Sequence, residues 1–178
     1  WAVPTAGWEA SWTDESGTAM VRLRLTGERQ GPFGNFMRSI DATPYRGRSV
    51  TLDAKVLVES AGGRAQMWLR VDRPNRQIGA FDNMGDRPIS PGIWTAARIR
   101  VDVDRDAAWL ALGVMSIGSA SVLITDVTLT PGPELKAQEP SRPQPLDEQR
   151  LANLVAASRA LALVRFFHPS TEATSVKS

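Results

Sequence analysis

Three groups of residues have side chains that could do chemistry, and the first lies on one face of a predicted strand. Apolar and polar side chains alternate over residues 64–71, which places Gln66, Trp68 and Arg70 on the face opposite the core. An indole ring can stack on a sugar or a planar anion, while amide and guanidinium groups bond to its hydroxyls or carboxylates. The pattern predicts a weak ligand-binding site. The alternative is that Trp68 packs under a loop or the rim of the second sheet, with Arg70 stacked on it.

The second group lies in the turn-rich segment 81–89, directly after a short predicted strand. Asp82, Asn83 and Arg87 could bind a small polar ligand or contribute to a cation site. Equally, Asx side chains bond to their own backbone and form a tight loop without any ligand. Calcium needs more oxygen ligands than this loop guarantees, so no metal site and no cofactor are predicted here. Asp126, on the last predicted strand, is a weak candidate for a structural calcium ion.

The third group is His168 with Ser170, close to the end of the sequence. Residues this close in sequence rarely have the geometry of a nucleophile and its base, and no orienting acid is evident. Ser170 is better explained as the cap of a following helix, with Glu172 near its first turn. We therefore expect no catalytic residue in this chain.

Composition excludes several classes of function. The chain has 178 residues, 42% of them hydrophobic, so it can form a real core. It lacks cysteine, which excludes disulfides, cysteine nucleophiles and thiolate zinc sites. Its 21 basic and 19 acidic residues are interspersed, which argues against nucleic acid as a partner. No apolar run is long enough to cross a bilayer. Trp1 rather than methionine at the first position fits the removal of an export signal, and it equally fits a sequence boundary of another origin. We expect an exported or periplasmic location.

Period-two alternation dominates the chain as far as Leu129 and predicts the fold. Turn signals rich in glycine and proline separate the alternating runs, at intervals of about ten residues. This pattern predicts an all-β, antiparallel jelly-roll β-sandwich over residues 1–130. The predicted strands are 18–25, 49–58, 64–71, 98–103, 110–114 and 121–129, with shorter candidates at 36–40 and 77–81.

A Pro-rich linker and a C-terminal α-helix are predicted to follow the sandwich. Residues 131–145 contain five prolines and few apolar groups, which is typical of an extended spacer. Asp147 can cap a helix from about Leu146 to Phe167. Residues 146–178 are therefore interpreted as the start of a truncated helical region. Its apolar face is expected to pack on the sandwich or on a second copy, giving a homo-oligomer. That face carries Leu151, Leu154, Val155 and Leu161.

Two blocks of residues resemble known bacterial families. Segments 68–72, 81–84 and 87–89, with 39–47 upstream, resemble a jelly-roll accessory domain of the kind fused to transcription regulators and exported peptidases. Segment 163–170 resembles the segment that opens the enzyme region of tail-specific (C-terminal-processing) serine peptidases. The resemblance implies a non-catalytic accessory domain of an exported serine peptidase, which positions the enzyme or its substrate and has the downstream peptidase domain as its partner. The family's catalytic serine and lysine match no position here.

Two other functions remain open from the sequence. The alternation also resembles carbohydrate-binding jelly rolls, in which one concave sheet face holds the glycan. The module would then bind a carbohydrate, a peptide or another small polar ligand, with Trp68 as its convincing exposed aromatic residue. Packing explains Trp8, Trp12, Trp94 and Trp109 equally well. As the effector domain of a transcription regulator, the chain would need a DNA-binding helical domain upstream of Trp1.

Overall fold

A computed structural model describes residues 1–136, except 3, 16, 29–30 and 75–76, together with 149, 151–153 and 155–158. The chain divides into two units, Trp1–Lys136 and Ala137–Ser178. The described residues of the second unit are helical, and Gln149 Nε2 donates a hydrogen bond to Asn153 Oδ1 at 3.2 Å, one turn away. This confirms the predicted helix over these residues. Packing of its apolar face on a second copy stays a prediction, and His168 and Ser170 lie outside the described residues.

Within the described residues, nine strands form two antiparallel sheets. The five-stranded sheet has the order β1-β2-β9-β4-β7, and the four-stranded sheet has the order β3-β8-β5-β6. The predicted all-β, antiparallel sandwich is confirmed. A 3-10 turn at Thr43–Tyr45 connects β3 to β4. The strands are β1 Trp8–Glu15, β2 Thr18–Leu25, β3 Phe33–Asp41, β4 Arg48–Val58, β5 Gly63–Asp72, β6 Ile78–Asp82, β7 Thr95–Asp102, β8 Trp109–Gly118 and β9 Val122–Glu134.

The core lies between the two sheets and follows from the alternation of side chains. On β4, Val50, Leu52 and Val56 are fully buried, and they belong to the same cluster as Leu69 and Val71 of β5. Burying such side chains stabilises a fold by roughly 1.5–3 kcal/mol each, so these two strands contribute much of the driving force. The polar residues between them point to the outer faces of the sandwich.

One glycine and two prolines show how the sheets accommodate close contacts and free edges. Gly34 on β3 lies under the Trp8 indole, where a Cβ atom would overlap the ring. β9 continues through Pro131 and Pro133 to Glu134, a few residues into the predicted linker. At this end β9 pairs with β4 alone, because its pairing with β2 involves only residues 122–124. Prolines are tolerated there because an unpaired strand edge needs no N–H donor.

Candidate functional site

The outer face of the four-stranded sheet carries the first group of sequence-predicted residues. Gln66, Trp68 and Arg70 occupy alternate positions of β5 and pair with Met115, Gly113 and Ala111 of β8. Alternate residues of a strand point to one face. The structure therefore brings all three predicted side chains to the same face, as the sequence pattern indicated.

Trp68 is buried rather than presented to solvent. Its side chain is only 6% exposed, and its Nε1–H donates a hydrogen bond to Asn35 Oδ1 of β3 at 2.9 Å. The Phe81 ring of β6 contacts it edge-on, with ring centroids 6.4 Å apart. The indole thus connects β5 to side chains of β3 and β6. This geometry fits the packing alternative, because a ring this buried offers little surface on which a ligand could stack.

Gln66 is also 6% exposed, and its side-chain amide has no hydrogen bond to any described residue. Among the described residues, the buried side-chain polar atom without a partner is Trp8 Nε1, so the Gln66 amide gives no sign of a missing ligand. Gln66 lies on the same face of β5 as Trp68.

Arg70 and Asp72 lie instead beside Trp109. Arg70 donates from Nε and Nη2 to the two carboxylate oxygens of Asp72, at 2.7 and 3.0 Å. Trp109 of β8 pairs with Asp72, and its side chain is 54% exposed. A cavity of about 500 Å³ is formed here, within the range of small-molecule sites. It is lined by Arg70, Asp72, Arg73, Pro74, Ile78, Ala108 and Trp109.

The Trp109 cavity, defined by these seven residues, has a second guanidinium at its edge. Arg73 donates to Asp106 from Nε at 3.0 Å and from Nη2 at 2.8 Å. Its hydrogen bond lowers the pKa of Asp106 and raises the pKa of Arg73 itself, so both groups stay charged. Arg70 and Arg73 both use Nε and Nη2 for carboxylates, which leaves each Nη1 without a partner among the described residues. These groups can donate to ligand oxygens.

Asp82, Asn83 and Arg87 form a self-contained loop that does not line the Trp109 cavity. Asp82 Oδ1 accepts from the Met84 N–H at 2.8 Å, and Asn83 Oδ1 accepts from the Gly85 N–H at 3.1 Å. Arg87 forms ion pairs with Asp82 and Asp86. Burial raises the pKa of Asp82, but hydrogen bonds from Arg87 and from the Met84 N–H outweigh it, so the pKa lies below its ordinary value. The loop therefore matches the ligand-free alternative of backbone-bonded Asx turns.

Asp126 lies on the other sheet, at an irregular position of β9. Its φ is 54°, in the left-handed region, and the pairing of β9 with β4 shifts register nearby. Its carboxylate forms an ion pair with Lys55 Nζ at 2.9 Å. In the part of the chain that the structure describes, no group of three or more His, Cys, Asp or Glu residues could hold a metal ion. The structural calcium at Asp126 therefore gains no support from its neighbours.

The outer face of the five-stranded sheet carries several ion pairs. Arg98 donates to Asp53 at 2.6 Å, and Arg24 pairs with Glu9 at 3.0 Å. Trp94 is 42% exposed beside Met20 at the edge of this face. It provides an exposed indole on the sheet opposite Trp109.

The position of Trp109 beside Arg70 and Asp72 was not predicted from the sequence, in which packing explained this residue equally well. Trp109 lies at the start of an alternating run, which weakly indicates a strand. The sequence does not specify which residue of β5 pairs with Trp109. The sequence pattern correctly placed Arg70 on the outer face. It proposed Trp68 as the indole that would contact a ligand beside Arg70. The structure supplies the indole from a different strand.

Comparison with known proteins supports the fold. No family model matches the chain. An uncharacterized HTH-type transcriptional regulator, YbfP of Bacillus subtilis (strain 168), is 30% identical over 98 residues, which are 54% of this chain and 33% of the relative. The chain thus spans about a third of that curated protein.

Solved carbohydrate-binding modules have a similar structure. The C-terminal family 22 carbohydrate-binding module of Clostridium thermocellum Xyn10B gives a TM-score of 0.56 at 13% identity, covering 75% of this chain and 87% of the module. The xylan-binding domain of Paenibacillus barcinonensis Xyn10C gives 0.54 at 14% identity, covering 76% and 86%. At these identities the likeness establishes the jelly-roll fold alone. The resemblance to a serine peptidase finds no support in these comparisons, and among the described residues no helix is long and apolar enough to span a membrane.

Proposed function

We propose that the β-sandwich is a carbohydrate-binding module and that its ligand binds in the Trp109 cavity. The observation that carries this proposal is the exposed Trp109 indole beside the Arg70–Asp72 pair, in a cavity of about 500 Å³. The Trp109 indole is 54% exposed on a sheet face, and a sugar ring is a suitable partner for its free surface.

The chemistry of the cavity divides between its apolar and polar sides. Trp109 and Ile78 offer apolar surface to the C–H face of a sugar ring. Arg70 Nη1 and Arg73 Nη1 can donate to hydroxyl oxygens, and the Asp72 carboxylate can accept from a hydroxyl while it remains paired with Arg70. Since Asp72 and Asp106 each balance one of the two guanidinium charges, the arrangement suits a neutral sugar better than a polyanion.

The structural likeness supports the same class of ligand. Two of the solved modules described above carry xylan-binding or carbohydrate-binding names, which makes soluble xylan a reasonable first ligand to test. Xylan as a ligand is part of the proposal, because the fold alone does not determine which sugar binds.

Calorimetric titration with soluble xylan and a panel of oligosaccharides tests the proposal. We expect the unmodified chain to bind at least one glycan, Trp109→Ala to lose at least tenfold in affinity, and Trp94→Ala to bind normally. Trp94 is the matched control because it is an exposed indole on the opposite sheet. If Trp94→Ala rather than Trp109→Ala loses binding, the site lies on the five-stranded sheet. If no glycan binds, the proposed function is wrong.

A second candidate is the ligand-sensing domain of a transcription regulator, which the 30% identity to YbfP favours. The gene sequence that encodes the chain tests it: an adjoining helix-turn-helix region would support this function, and an adjoining enzyme would contradict it. The accessory role beside an exported peptidase remains a hypothesis that the same gene sequence would test. An exported or periplasmic location likewise stays a prediction.

A further inference from the structure

A second cavity opens between the two sheets, on the side where β1 and β3 form their outer edges. It measures about 370 Å³, and its floor is made of core residues that include Leu52, Leu112 and Ile124. Aromatic rings form its walls. Trp1 stacks on Phe36 with centroids 4.8 Å apart and an interplanar angle of 11°, and Trp12 also lines the cavity. We call this the inter-sheet cleft.

The cleft exists because the two sheets differ in width. Trp12 on β1 pairs with the buried Val21 of β2, so it points toward the space between the sheets. It is nevertheless 71% exposed. The five-stranded sheet ends in β1 and the four-stranded sheet ends in β3, so Trp12 lies on an edge strand. An inward-pointing indole is thus left without a packing partner on one side.

Arg38 gives the cleft its charge. It alternates with Phe36 and Ile40 on the inward-pointing side of β3, and all three residues line the cleft. Its guanidinium has no hydrogen bond or ion pair with any described residue. The other charged residue of the lining, Asp126, already pairs with Lys55. The cleft therefore combines apolar aromatic walls with the unpaired guanidinium of Arg38.

We propose that the inter-sheet cleft binds a small aromatic carboxylate. The ring of the ligand lies among Trp1, Trp12 and Phe36, and its carboxylate accepts charge-assisted hydrogen bonds from Arg38. Concave sites of this size, mostly apolar with a few polar groups that orient the ligand, are typical of small-molecule binding. The site is on a different part of the sandwich from the Trp109 cavity and does not depend on carbohydrate binding.

Calorimetric titration with naphthoate and its neutral amide, naphthamide, tests the charge requirement at pH 7. We expect naphthoate to bind about tenfold more tightly than naphthamide. Arg38→Gln should remove this difference, while Arg64→Gln should keep it. Arg64 is the matched control because it is exposed on the outer face of β5 and likewise has no ion pair among the described residues.

A second variant tests the location of the ring. Trp12→Ala should weaken naphthoate and naphthamide by the same factor, because it removes apolar contact and leaves Arg38 in place. An inward-pointing charge on an edge strand can also serve to block association with other strands. If Arg38→Gln promotes aggregation but leaves the naphthoate affinity unchanged, or if naphthoate does not bind at all, the proposal is wrong.

Discussion

Replacement of Trp68 separates a structural role from a ligand-binding role. If Trp68 bound a ligand, which is one of the two sequence-based interpretations, Trp68→Ala would abolish binding and leave stability almost intact. The structure predicts the reverse. Removing a largely buried Trp side chain costs about 3–5 kcal/mol, and Asn35 Oδ1 also loses the hydrogen bond that it accepts from Nε1. We expect Trp68→Ala to lower the free energy of unfolding by about 3–5 kcal/mol, which is a large part of the stability of an ordinary domain.

Three further variants divide that loss between packing and the hydrogen bond. Trp68→Phe keeps an aromatic ring but removes the donor to Asn35. Together with Asn35→Ala and the double variant, it completes a thermodynamic cycle, and we expect a coupling energy of about 1 kcal/mol. Trp109→Ala serves as the exposed control and should change the free energy of unfolding by less than about 1 kcal/mol.

Urea unfolding followed by circular dichroism measures these differences as shifts in the midpoint urea concentration. The comparison requires that the slope of the unfolding free energy against urea concentration is unchanged. The reasoning is refuted if Trp68→Ala unfolds at nearly the same urea concentration as the unmodified chain and has lost its ligand. Trp68 would then be a ligand-binding residue, and its burial in the structure would not describe the protein in solution.

Three more predictions follow from individual contacts in the structure. Because the pKa of Asp82 is lowered in the folded state, its contribution to stability is present above the pKa of the unfolded chain and is lost as the pH falls through the folded value. Asp82→Asn should therefore flatten the pH dependence of the thermal midpoint in acid, and an unchanged profile would contradict the pairing with Arg87. Gly34→Ala should destabilise the fold by about 1–3 kcal/mol, since the new methyl group overlaps the Trp8 ring; an unchanged urea midpoint would rule out this contact. Ser116 is fully buried and its Oγ donates to the Ala120 carbonyl at 2.6 Å, so Ser116→Ala should cost about 1–2 kcal/mol in the same assay. A loss within experimental error would mean that water replaces the hydroxyl there.

Much of the fold could be predicted because alternation directly encodes which face of a strand is buried. β4 and β5 have long runs of Val, Leu and Met at every second position, and both strands were predicted within two residues of their observed ends. β1 was missed although its Trp8, Ala10 and Trp12 do alternate with polar residues. One of the three is alanine, and such a short pattern carries a weak hydrophobic signal.

The candidate site was predictable only in part, because it depends on register between distant strands. Arg70 and Asp72 are neighbours on one strand, so their shared face could be inferred. The position of Trp109 next to Asp72 depends on the pairing of β5 with β8, which the sequence does not specify. The burial of Trp68 depends in the same way on Asn35, which is 33 residues away along the chain.

The position of β9 in the five-stranded sheet constrains the order in which the protein can fold during synthesis. Within this sheet, the hairpin of β1 and β2 is joined to β4 and β7 only through β9, the last strand of the sandwich to be made. The hairpin of β1 and β2 therefore cannot dock in its own sheet until Val122–Ile124 have been synthesised. During that interval the hydrogen-bonding edge of β2 lacks its neighbouring strand, and this hairpin is a candidate target for a chaperone that binds nascent chains.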